Sequence, residues 1–167
     1  MIPALIGRAA LAMVFCVIAT TASAAVFNSP DGLFVIEFPG PPRLSVLKTQ
    51  TTRGTEFEER RWSARTKDGY WSVTTFVYAK PRMTNYDAAV AGTVAAVKGH
   101  LVSNRPIWQA GFDGREIVVD CGDSGVLRER IVSIEGSLYV VAYRGRDAAA
   151  AAAAAVDEFL ISFEPAG

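Results

Sequence analysis

The segment "VLRERIVSIEGSLYVVAYRG", Val126–Gly145, decides the fold. Two runs rich in β-branched and aromatic residues flank Glu135-Gly136, and a glycine there relieves the positive φ that a tight hairpin turn demands. In the first run Val126, Val132 and Ile134 share one face with Arg128 and Arg130, because side chains alternate along a strand. Those two arginines must reach past apolar neighbours or pair with carboxylates.

Working outward, the same signature repeats. "TEFEERRWSAR" and "YWSVTTFVYA" flank Asp68-Gly69, and "PIWQAGF" and "REIVVDC" are expected to pair around Asp113-Gly114. Near the start "LFVIEF" alternates Phe34, Ile36 and Phe38 against Val35 and Glu37, and "FPGPPR" stops it because proline cannot donate to a ladder. Hairpins joined in sequence imply a mostly antiparallel sheet of about six to eight strands.

Two segments break this period. Tyr86 to Leu101 follows Thr84 and Asn85 as candidate N-caps and spaces Tyr86, Val90, Val94 and Val97 for one helix face, with His100 at its end. Asp147 to Phe163 holds eight consecutive alanines, Ala148 to Ala155, then Val156, Phe159, Leu160 and Phe163 at helical spacing. Alanine propensity and a capping Asp147 predict one helix there. The class is therefore α+β: an antiparallel sheet whose faces or edges two amphipathic helices cover.

The chain opens with one cation, Arg8, an apolar run from Ala9 to Ala19 and small residues through Ala24, the three parts of a cleavable signal peptide. Cleavage before Ala25 predicts a single exported domain, 25–167, in the bacterial periplasm or outside the cell, with no membrane span left. Removing 1–24 leaves sixteen Lys plus Arg against seventeen Asp plus Glu, so net charge offers no reason to expect nucleic acid or anionic lipid as partners. One cysteine remains, and it cannot make an internal disulfide.

The tetrapeptide "GDSG", Gly122–Gly125, surrounds the nucleophile of chymotrypsin-type proteases, but only His100 could serve Ser124 as base, and nothing around it resembles that family's histidine motif. Asp123, Ser124 and Gly125 read better as a polar turn. Cys121 continues the alternation of Ile117 and Val119 and reads as a buried small hydrophobe. One histidine does not make a zinc site, and neither a calcium-loop spacing nor a nucleotide fingerprint is present, so no cofactor is expected. The mixed-charge run Glu56 to Lys67 reads as a solvated strand face. Arg128 and Arg130, with Tyr139 beside them in the hairpin, are the candidate binding groove, and Trp71, Trp108 and Tyr139 are candidate walls of an aromatic ligand cavity.

With these stretches in view, "GLFVIEFPGPP" (Gly32 to Pro42), "GREIVVDC" and "FLISF" (Phe159 to Phe163) resemble small exported bacterial proteins of the PsbP-like fold. The resemblance implies an antiparallel sheet flanked by helices and an accessory role without a shared catalytic centre. It leads to the expectation of a non-catalytic envelope protein that binds a protein partner. The alternatives are a periplasmic module for a small apolar or amphipathic ligand and, far behind, a Ser124-dependent hydrolase.

Overall fold

The computed structural model describes residues 24–50, 56–78 and 84–166. The expected signal peptide, 1–24, lies outside them but for Ala24. In chain order the strands are β1 (Ala25–Asn28), β2 (Phe34–Phe38), β3 (Arg43–Gln50), β4 (Glu56–Arg65), β5 (Tyr70–Tyr78), β6 (His100–Gln109), β7 (Phe112–Asp120), β8 (Val126–Ile134), β9 (Ser137–Gly145) and β10 (Glu164–Pro165). The helices are α1 (Tyr86–Val97), α2 (Ala148–Ala151) and α3 (Ala154–Ile161). Seven strands form one sheet in the order β3-β4-β5-β9-β8-β7-β6, and β1-β2-β10 form a small second sheet. Every neighbouring pair is antiparallel.

The Val126–Gly145 hairpin forms as its sequence dictates. Ile134 faces Ser137 across the turn, with Glu135 at φ 49° and Gly136 at φ 78°. The β6–β7 turn corrects the expectation: it falls at Ala110 and Gly111, which carry the positive φ values, and not at Asp113-Gly114. Gly114 lies inside β7, where a Cβ would stand 2.5 Å from the carbonyl oxygen of Ile131 on β8. That glycine serves a close approach between strands, which the dipeptide Asp-Gly cannot distinguish from a turn.

Alternation splits the large sheet into two buried faces. On one, Trp62, Trp71, Val73, Val132, Tyr139, Val141 and Tyr143 meet Phe34, Ile36 and Phe38 of β2 and Val156, Phe159, Leu160 and Phe163 of the C-terminal segment. Ring contacts tie these layers together: Phe34–Trp62 at 5.1 Å, Trp71–Phe159 at 5.2 Å and Tyr139–Phe163 at 5.7 Å between centroids. On the other face Val90 of α1 packs on Ile117, Val119, Cys121, Leu127, Ile131 and Ala142. Cys121 is buried as expected.

Both helical expectations need correction at their ends. Asn85 caps α1, accepting from the Ala88 amide, but the helix stops at Val97 because Lys98 turns left-handed and Gly99 follows. His100 therefore opens β6 instead of closing a helix. The alanine tract is not one helix. Asp147 caps α2 by accepting from the Ala150 amide, the chain turns at Ala152 and Ala153, and α3 begins at Ala154. Alanine propensity gives no reason for that elbow; Arg128 does. Its guanidinium donates to the Ala151 carbonyl at 3.3 Å and pairs with Asp157 at 2.7 Å, bridging the end of one helix to the first turn of the next.

Candidate functional site

Arg128 and Arg130 project from β8 into the layer between the sheet and the C-terminal helices, and each exposes 12 % of its side chain. Glu116, opposite them on β7, accepts from Arg128 at 3.1 Å, Arg130 at 2.7 Å and Arg105 at 2.5 Å. Arg130 also donates to the Gln109 side chain, which in turn donates to the carbonyls of Leu160 and Phe163 at the end of α3. Burial pushes the Glu116 carboxyl up, but its arginine partners outweigh that and hold it below the usual carboxylate range. Tyr139 is 6 % exposed and packed on Phe163. The three residues expected to line a groove are thus engaged inside the fold, where they tie the helices to the sheet.

The aromatic candidates divide. Trp71 is buried against Tyr143 at 4.5 Å and Phe159, and Trp108 stands 74 % exposed near the tip of the β6–β7 hairpin. Ser124 lies in a single 3-10 turn, Gly122–Ser124, between β7 and β8. Its carbonyl accepts from Arg144 at 3.0 Å, and no hydrogen bond joins its side chain to His100, which faces Asp120 in the ladder. Among the described residues no three His, Cys, Asp or Glu side chains converge to hold a metal ion. No helix among them is long and apolar enough to cross a membrane.

An open cleft of about 1160 Å³ lies instead at the end of the sheet where three connections gather: β4–β5, β7–β8 and β9–α2. Tyr143, buried in its wall, donates from its hydroxyl to the Asp68 carbonyl at 2.6 Å. Gly69 lies so close to this ring that a Cβ would sit 2.5 Å from it. Arg61, Arg65, Lys67, Arg144 and Arg146 line the cleft against Asp68, Asp123 and Asp147; with Arg61 already paired to Glu59 at 2.7 Å, an excess of one positive charge remains. Arg65 lies over the Tyr70 ring at 5.4 Å, Arg146 pairs with Asp147 at 3.1 Å, and Lys67 makes no ion pair among the described residues.

Sequence reasoning did not assemble this site. Its cations come from two segments far apart in the chain, around the β4–β5 and β9–α2 connections, and Lys67 and Arg146 each sit beside an aspartate, so no single stretch shows the excess. The usable signal was positional. Arg65, Lys67, Arg144 and Arg146 all flank strand ends, and an antiparallel order brings alternate ends together.

Fold and cleft together define an antiparallel α+β protein, its large sheet covered on both faces, with an open concavity at the sheet end that carries more cations than carboxylates. Comparison with known proteins adds no neighbour: no family model, curated protein or solved structure matches this chain.

Proposed function

We propose that the protein is a non-catalytic accessory module of the bacterial envelope, exported by the segment before Ala25, that holds an acidic segment of a partner protein in the cleft at the sheet end. The observation that carries this reading is the local charge excess: Arg65, Lys67, Arg144 and Arg146 at strand ends against three carboxylates across an open concavity, with Lys67 exposed and in no ion pair among the described residues, on a chain that is neutral overall. Cations held at fixed strand ends steer an acidic partner and select against a basic one, with an effect that fades as salt rises. The likeness of "GLFVIEFPGPP" and "FLISF" to PsbP-like accessory proteins agrees with such a role, although fold analogy alone transmits no function.

Crosslinking in intact cells, followed by mass spectrometry, tests the proposal. A specific acidic partner is expected with the natural protein and is expected to disappear in Arg65→Glu/Lys67→Glu, two exposed positions whose change leaves the core alone. Undiminished recovery of the same partner by that variant overturns the reading. A small amphipathic ligand is the second reading, favoured by the half-buried Tyr70 ring that lines the cleft beside the cations. Native mass spectrometry of the purified protein separates the two, since only the second predicts a co-purifying small molecule.

A further inference from the structure

The two edges of the large sheet are treated differently. β6 carries Pro106 within it and a register break between Leu101 and Ser103, two devices that blunt an edge against further pairing. β3 has neither. Among the described residues nothing pairs with its outer side, yet Leu44, Val46 and Leu47 stand 53 %, 49 % and 55 % exposed. A strand with an open ladder and apolar side chains on it is a template for another strand.

We infer that β3 pairs with β3 of a second copy, antiparallel about a two-fold axis at Ser45, so that two sheets join into one. The register follows from symmetry. A two-fold axis normal to the sheet keeps faces matched, so residue pairs must share parity. Centring on Ser45 sets Leu44 opposite Val46 of the second copy and Val46 opposite its Leu44, a four-residue apolar cluster on the face that Trp62 occupies. It sets Arg43 opposite Leu47 and Lys48 opposite Pro42, so no like charges meet. Pro42, lacking a donor, ends the ladder at both extremities. Centring on Val46 would face Leu44 with Lys48 and Leu47 with Ser45, and centring on Leu44 would place Pro42 opposite Val46. Because β6 is blunted, pairing at β3 closes at two copies and does not propagate as a filament. The inference uses a different strand from the cleft and stands independently of what the cleft holds.

The test is sedimentation of the protein expressed from its full sequence, together with single cysteines. A dimer is expected, and Val46→Lys is expected to raise its dissociation constant about tenfold through two lost apolar cross-strand pairs. Near-UV circular dichroism should stay unchanged, since Val46 is half exposed. Ser45→Cys is expected to form an intermolecular disulfide under mild oxidation, because symmetric partners in an antiparallel pair lie about 4.5–5.5 Å apart at Cα, within disulfide reach. Leu47→Cys, which would face Arg43, is expected not to. A monomer at high micromolar concentration overturns the inference and leaves β3 to a different protein. A dimer that crosslinks at Leu47→Cys but not at Ser45→Cys, or that ignores Val46→Lys, overturns it as well.

Discussion

Two glutamates on adjacent strands, one residue apart in the ladder, meet opposite fates. Glu116 on β7 faces Arg130, and Glu129 on β8 faces Ile117, so one carboxylate enters the layer under the C-terminal helices and the other the layer under α1. Both are nearly inaccessible, at 3 % and 5 %. Glu116 has three guanidinium partners, and Glu129 has one hydrogen bond, accepted from the Thr93 hydroxyl at 2.9 Å. Burial therefore dominates at Glu129 and pushes its carboxyl up to about 7, against the weaker pull of Thr93 and Arg61. Similar surface exposure hides a difference in depth: Glu129 is enclosed more deeply and has fewer partners, and the two causes together turn its shift opposite to that of Glu116.

The sharpest way to break the contrast is to take away the charge that the arginines share. Glu116→Gln leaves Arg130 buried without an anion and Arg128 with Asp157 alone, and removing one partner of such a set costs about 3–5 kcal/mol. Urea denaturation at neutral pH is expected to show that loss, accompanied by loosening of the Ala152–Ala153 elbow, since Arg128 spans it. A change below about 1 kcal/mol would mean that the network is solvated and that the helices dock by apolar contact alone.

The next prediction sets the two acids against each other in pH. At Glu129 the folded carboxyl titrates near 7 against an ordinary 4.5, so its stabilising protonated form is complete below 4.5 and lost as pH rises toward 7. At about 1.4 kcal/mol per pH unit, that window holds roughly 3 kcal/mol. Glu116 acts in the opposite sense: its depressed carboxyl supports the fold above the ordinary value and withdraws support as pH falls through the folded one. Stability from the pair is therefore expected to peak in mildly acidic solution, near the ordinary carboxylate value. Glu129→Gln is expected to flatten the neutral limb and leave the acid limb intact. A neutral limb that survives in Glu129→Gln assigns the titration to another group.

How much of this could be read beforehand depends on whether one strand or two were needed. The Val126–Gly145 hairpin was legible because alternation and a turn glycine agree within twenty residues, and the face shared by Arg128 and Arg130 followed from parity alone. Their partner was not legible. Glu116 joins them only once the β7–β8 register is known, and Asp123-Ser124-Gly125 gives a turn without specifying that register. The alanine tract failed for the reverse reason: its local propensity was clear, and a side chain from the sheet overrode it at Ala152. The cleft, assembled from three connections, was the least legible feature of all.

A third polar group in the same sheet sharpens the comparison at its smallest scale. Thr75 on β5 is fully buried between Arg60 and Tyr139 in the ladder, and its hydroxyl has no hydrogen-bond partner. If partners decide what buried polarity costs, a group with none should be better absent. Thr75→Val keeps the branched shape that a strand favours and deletes only the unpaired hydroxyl, so stability is expected to rise by about 1 kcal/mol. Thermal unfolding of the two proteins side by side measures it. A fall in melting temperature would show that the hydroxyl is satisfied by a buried water, placing Thr75 with Glu129 as weakly partnered instead of alone.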